Sequence, residues 1–169
     1  MTLRIFVWLN PAFMTEEEFQ TAISKPDPIE AVQDIYRNIS NLPDLGDNLS
    51  RLTTAQRTVY CISSFHREVL NGGLSQYFFN SSGDYAHEVL RGFLEIGALS
   101  CAELLKDAID SWPEETVPKN RETRDEMLFD VETYAAEKWN RINGLYSLGE
   151  EKVAELLFDY VLRHKREFI

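Results

Sequence analysis

Apolar residues recur at intervals of three and four along most of the chain, the period of an amphipathic helix. A helix near 28–40 places Val32, Ile35, Tyr36 and Ile39 on one face. One near 54–70 lines up Ala55, Val59, Ile62, His66, Val69 and Leu70. One near 84–96 turns Ala86, Leu90, Phe93 and Leu94 inward, and one near 101–112 does the same with Ala102, Leu105, Ile109 and Trp112. A helix near 121–139 buries Met127, Leu128, Val131, Tyr134 and Ala135. The last, near 150–166, buries Val153, Leu156, Leu157, Tyr160 and Val161 and carries Phe158 and Leu162 on its back. A helix apolar on two sides is deeply buried or shared with a partner, which points to a homodimer.

Start and stop signals bound these segments. Thr15 with Glu18, Thr53 with Gln56, and Ser100 with Glu103 have capping-box spacing, in which side chain and backbone satisfy each other's orphan donors. Asp27 before Pro28 marks a further start. Pro43, Gly46 and Asp47 mark a loop, Gly72 and Gly73 end the second long helix, Gly97 closes the next, and Pro113 and Pro118 frame a polar connection. No period-two alternation appears outside 3–9. The expected fold is therefore all-α: a compact single-domain helical bundle over 1–169 with a short N-terminal extended segment, a strand or an arm packed on the body. The apolar run 3–9 is too short to cross a membrane, and Asn10 and Pro11 end it. No small-residue cleavage site follows, so it does not read as a signal peptide, and the expected location is cytoplasmic.

Composition narrows the function. The chain is 44% hydrophobic and 12% aromatic, enough for an ordinary core. Its formal charge of -11 argues against direct nucleic-acid binding, which needs clustered Lys and Arg, and against anionic membranes. A basic protein partner, or solubility alone, fits that charge. Cys61 and Cys101 fall inside predicted helices and read as free thiols. His66, His87 and His164 are scattered. His66 reads as a core residue, and no pair has metal-ligand spacing. A Walker-type phosphate loop and a Gly-x-Ser-x-Gly elbow are absent. No catalytic residues, metal or cofactor are expected.

The stretch 71–83 is the most unusual. Glu68, Asn71, Gln76, Asn80 and Ser82 interleave with Leu74, Tyr77, Phe78 and Phe79. Burying the aromatics forces their polar neighbours to find partners, at a cost of about 1–3 kcal/mol for each left unsatisfied. One account is a turn between two helices locked by an amide and carboxylate network. The other is a small-ligand or enzymatic pocket lined by Asn71, Gln76 and Asn80.

The pattern Glu68-x-x-Asn71-Gly72-Gly73-Leu74-Ser75-Gln76-Tyr77-Phe78-Phe79-Asn80-Ser81-Ser82-Gly83 resembles the signature of the DNA-mimic protein family. Thr53-x-x-x-Arg57 upstream, and Ile96-Gly97-Ala98 with Ala102 and Ala108 downstream, fit its flanks. The resemblance is strongest over 52–110; it makes 52–169 the family-like core and leaves 1–45 weakly matched. It implies an all-helical fold, a tendency to dimerise, and an acidic surface that imitates duplex phosphates and occupies the DNA-binding face of a transcription factor. Under it, Glu68, Asn71, Gly72, Gly73, Gln76, Asn80, Ser82 and Gly83 are scaffold, and the mimicry lies in surface carboxylates.

Such carboxylates are present. From Glu103 to Glu137 there are eleven acids and four bases. Glu103, Asp107 and Asp110 form one stripe, Glu122, Glu126, Asp130 and Glu137 another, and Glu114 and Glu115 sit between them. Neighbours at i, i+4 stand about 5–6 Å apart, approaching the spacing of phosphates along a strand. Phe129 projects among Glu122, Asp125, Glu126 and Glu132: an aromatic inside a charged patch is either a candidate hot spot or a side chain that packs under the 113–120 loop or in a dimer contact. These ten (Glu103, Asp107, Asp110, Glu114, Glu115, Glu122, Glu126, Phe129, Asp130, Glu137) are the expected partner-binding residues. The expected function is a non-enzymatic interaction protein whose acidic surface binds a basic protein such as a transcription factor. A toxin-immunity type inhibitor would use the same surface on a different basic target.

Overall fold

The computed structural model describes residues 14–42, 45, 49–149 and 151–169. The N-terminal run 3–9 and the loop residues Pro43, Gly46 and Asp47 lie outside them. Among the described residues there are seven α-helices and no strand: α1 (Glu16–Ile23), α2 (Pro28–Ser40), α3 (Thr54–Phe79), α4 (Ala86–Ile96), α5 (Leu99–Ile109), α6 (Arg121–Leu148) and α7 (Val153–Arg163). Short 3-10 turns at Ser81–Tyr85, Pro113–Glu115 and Lys165–Glu167 lead into or out of them. The all-α expectation holds.

Two of the three capping boxes form. Thr15 Oγ1 accepts from the Glu18 amide while Glu18 reaches back to Thr15 N, and Thr53 with Gln56 does the same at the head of α3. Asp27 caps α2 before Pro28. The third does not form. α5 begins at Leu99 with Ala98 as its cap residue, and the Glu151 carboxylate accepts from the amides of Ser100 and Cys101 at 3.4 and 2.8 Å. A side chain some fifty residues away thus does the work expected of a local one.

Helix α3 runs through the centre. Phe65 meets Tyr77, Phe93 and Tyr146 edge-on, with centroids 4.7, 5.5 and 5.3 Å away, so three helices share one aromatic cluster. Phe78 adds Trp139 and Trp112 at 5.1 and 5.3 Å. Edge-to-face pairs of this kind each contribute about 0.5–1.5 kcal/mol beyond the area they bury. The buried apolar residues form one contiguous core. Across the body, the Tyr160 hydroxyl of α7 donates to Glu95 of α4 at 3.1 Å.

Several inward assignments are corrected. Tyr134 is 84% exposed rather than buried. Leu70, Leu94 and His66 are exposed, at the edges of stripes whose centres are buried. α6 continues nine residues beyond 139, and α7 is shorter than 150–166 at both ends. On α7, Phe158 is half-buried against the core and Leu162 is exposed. Gly72 and Gly73 do end the first helical segment of α3, as expected: both leave helical geometry, Gly73 with φ 74, and a second segment follows the kink from Leu74. Cys61 and Cys101 are both free and buried, and burial pushes each thiol up to about 12.

Candidate interaction surface

The signature stretch is a helix junction, and its polar groups bind one another. Glu68 is buried, and its Oε2 accepts from Gln76 Nε2 at 2.6 Å and from Asn80 Nδ2 at 2.8 Å. Asn71 Nδ2 donates to Gln76 Oε1 at 3.3 Å. Gln76 and Asn80 are consumed by that carboxylate, while Asn71 is exposed at the edge of a neighbouring groove. The three amides therefore do not converge on one open pocket.

The junction also fixes α6. Gly73 needs its left-handed backbone, and a Cβ there would stand 2.6 Å from Asn143 Nδ2. Asn143 Oδ1 in turn accepts from the Leu74 amide at 3.0 Å. Ser75 donates to Glu132 at 2.7 Å. Gly83 is buried, and a Cβ would meet the Tyr77 carbonyl oxygen at 2.9 Å. At the head of α6, Arg124 is fully buried. Its guanidinium donates to the carbonyls of Phe78 at 2.6 Å, Asn80 at 2.9 Å and Pro118 at 2.8 Å, and pairs with Asp84 at 2.6 Å. Helix C-terminal carbonyls lack intrahelical donors, and a cation is suited to them. One arginine thus ties the end of α3 to the start of α6. Sequence reasoning counted it only as one of four bases. Its sole sequence signal is an arginine on the same helical face as Leu128, Val131 and Ala135.

That burial sharpens the charge imbalance. Of the four bases among the eleven acids, Arg124 contributes nothing to the surface. On α6, Glu122, Glu126, Asp130 and Glu137 are all exposed, and no ion pair or hydrogen bond with another described residue engages their carboxylates. With about 1.5 Å of rise per residue they extend along roughly 22 Å of helix. Phe129 lies on this face, 76% exposed, and Tyr134 stands beside Asp130 and Glu137. Asn120 caps the helix, accepting from the Thr123 amide at 2.9 Å.

Of the other five expected acids, three are less free. Glu103 and Glu114 are exposed, and among the described residues their carboxylates have no partner. Asp107 lies 3.8 Å from Arg141. Lys106 pairs with Asp110 and reaches Glu115 at 3.7 Å, and those contacts hold its ammonium above its usual pKa. Glu114 and Glu115 both adopt positive φ, 55° and 51°. The left-handed region costs a non-glycine residue about 1–2 kcal/mol. The turn that holds them is closed by Glu115 N to Trp112 O at 3.0 Å and Thr116 N to Pro113 O at 3.2 Å.

Among the described residues, no group of three or more His, Cys, Asp or Glu side chains could hold a metal ion, and no helix is long and apolar enough to cross a membrane. His66 Nδ1 and the Tyr146 hydroxyl are 3.0 Å apart, His87 Nε2 accepts from the Val117 amide at 3.2 Å, and His164 pairs with Glu167. The histidines are thus engaged separately.

Comparison with known proteins agrees with the signature. No curated protein and no solved structure matches the chain. The family model described as DMP19-like protein matches residues 50–164, more than half of the chain and well beyond the signature itself. The match includes the junction, the buried Arg124 and both acidic helices. The chain belongs to the DMP19-like, DNA-mimic family.

Proposed function

We propose that this is a non-enzymatic interaction protein that presents the carboxylates of α5 and α6 to a basic protein, taking the place of duplex DNA on a DNA-binding surface. The observation that carries the reading is the row Glu122, Glu126, Asp130 and Glu137, exposed along one face of a helix and, among the described residues, in no ion pair. Leaving like charges at i, i+4 without partners weakens a helix by about 0.2–0.5 kcal/mol per pair. A face kept only for solubility would intersperse bases. Glu103, Asp107, Asp110, Glu114 and Glu115 extend the negative field beside that row, and Phe129 offers a non-ionic anchor within it. A transcription factor is the partner this arrangement suits best. A homodimer would present two such rows, and the cytoplasm is where such a partner is met.

Capture of binding proteins from a native lysate, followed by the triple variant Glu122→Lys, Glu126→Lys and Asp130→Lys, tests the reading. The specific partner is lost from the variant, and its binding to the native chain weakens steeply as salt rises. Binding that survives the triple charge reversal refutes the proposal.

A further inference from the structure

A groove of about 1280 Å³ opens between α2, α3, α5, α6 and α7. It exceeds the roughly 300–1,000 Å³ of a small-molecule pocket. It follows α2 from Ile29 through Tyr36 to Ser40, about 16 Å of helix at 1.5 Å per residue. Three large apolar side chains that the described residues leave exposed lie in it: Ile29 (50%), Leu70 (51%) and Leu145 (43%). An apolar trough of this kind marks a binding groove.

Its charged groups are already matched. Arg37 lies 2.7 Å from Asp34, Arg67 3.6 Å from Glu68, Asp107 3.8 Å from Arg141, and Lys152 3.7 Å from Glu155. Glu151 accepts from the amides of Ser100 and Cys101. The lining keeps one acid, Glu103, without a partner among the described residues. Burying a charge against groups already paired is costly, so such a lining suits an apolar and nearly uncharged occupant. The chain itself carries one. Six of residues 3–9 are apolar, and Arg4 is the single charge among them.

That run is tethered beside the groove. The Met14 amide donates to the Phe168 carbonyl at 3.1 Å, which ties the start of α1 to the turn after α7. Thr15 and Glu18 share a small hollow with Asp34 and Asn38, so α1 starts beside the last turns of α2. From there the Ser40 end of the groove is about one helix diameter away, 10–12 Å. Leu9 stands five residues before Met14 and reaches up to about 17 Å from it. Extended, residues 3–9 span about 20 Å, enough to follow the trough along α2. So short a tether holds them at an effective concentration in the millimolar range, where weak apolar contacts suffice. We infer that residues 3–9 of this chain lie in the groove as an intramolecular strap. The site goes beyond the acidic face of α6, because its occupant is apolar and belongs to the same chain.

Thiol labelling of the purified full chain with iodoacetamide tests this. Cys61 and Cys101 are buried, with their thiols pushed up to about 12, so they react slowly and an introduced cysteine is read alone. Leu70→Cys and Leu145→Cys each place a probe in the groove. Leu94→Cys, at a 55% exposed position on α4 outside the groove, is the reference. Each probe is labelled with and without the pair Phe6→Asp and Val7→Asp, which puts one acid on each face of an extended run. The pair speeds labelling of both groove cysteines about tenfold, because the strap no longer covers them, and leaves Leu94→Cys unchanged. Circular dichroism confirms that each variant is folded. No acceleration in the groove, or the same acceleration at Leu94→Cys, overturns the proposal. So does an acceleration that hundredfold dilution of the chain reproduces without the pair, which assigns the groove to a second copy; a tethered strap is indifferent to dilution.

Discussion

Replacing Arg124 by methionine removes the cation at the α3–α6 junction while keeping its length and apolar stem. Three carbonyl oxygens, on Phe78, Asn80 and Pro118, lose their donors, and the Asp84 carboxylate loses its counter-charge. Removing one partner of a buried pair costs about 3–5 kcal/mol, because the other charge is left uncompensated. The Asp84 side chain is 23% exposed, so water reaches it and the loss falls near the lower end. The expected destabilisation is about 3 kcal/mol, a large share of the 5–15 kcal/mol typical of a domain. Arg124→Lys recovers little of it, since one ammonium cannot span acceptors that a planar guanidinium reaches in several directions. The double variant Arg124→Met with Asp84→Asn is less destabilised than the sum of its parts, because the amide removes the orphaned charge. Urea unfolding followed by circular dichroism and by tryptophan fluorescence measures this. Trp112 and Trp139 flank Phe78, so their emission reports on the junction itself. A loss below about 1 kcal/mol for Arg124→Met, the scale of an ordinary surface change, refutes the argument. So does full rescue by lysine.

Gly73→Ala forces a methyl group to 2.6 Å from Asn143 at φ 74 and is expected to cost about 2–3 kcal/mol in the same unfolding assay. By contrast, Tyr134→Ser, at an 84% exposed position, changes stability by less than about 0.5 kcal/mol. Glu167 accepts from the Ala55 amide at 3.0 Å, and that bond, with further help from His164 and Thr53, holds its carboxyl below the usual 4.5. A depressed carboxylate pKa contributes stability that is present above the unfolded-state value and is lost as pH falls through the folded one. The stability gap between the native chain and Glu167→Gln is therefore fully present above the unfolded-state carboxylate pKa and closes as pH falls below it through the folded-state value; a gap that widens on acidification contradicts this. Glu114→Gly, which relieves a left-handed glutamate, leaves the thermal midpoint unchanged or raises it, whereas the same change at Glu122 in the first turn of α6 lowers it.

The hydrophobic period finds the helices because it reports a local property, the direction in which a side chain leaves the backbone. It locates stripe centres such as Val59, Ile62, Leu105 and Val131 correctly and fails at stripe edges, where Leu70, Leu94 and Tyr134 are exposed. A stripe edge is buried only when a neighbouring helix covers it, and the neighbours are set by long-range packing. The same limit hid the true cap of α5. Ser100 and Glu103 have the right spacing, but the backbone turns helical before them, and Glu151 takes the exposed amides. Arg124 was illegible for a related reason. Its acceptors are mainly backbone carbonyls, which every sequence possesses, so nothing in residue identity marks them. The groove follows from a choice that the sequence does not display: α2 and α5 both line it. The signature was legible as a motif and ambiguous as chemistry until Glu68, Gln76 and Asn80 were seen to satisfy one another. Their mutual bonding favours the locked turn over the pocket, the two accounts that the sequence left open. The buried arginine beside them then supplies the connection that reading the sequence lacked, because it fixes the motif that names the family to the helix that carries the charge. A change at the junction between motif and helix therefore weakens partner binding without altering a single surface carboxylate. Arg124→Met, assayed for partner capture below its unfolding transition, is the variant in which that coupling is measured. Capture as strong as that of the native chain would show the acidic row to be independent of the junction.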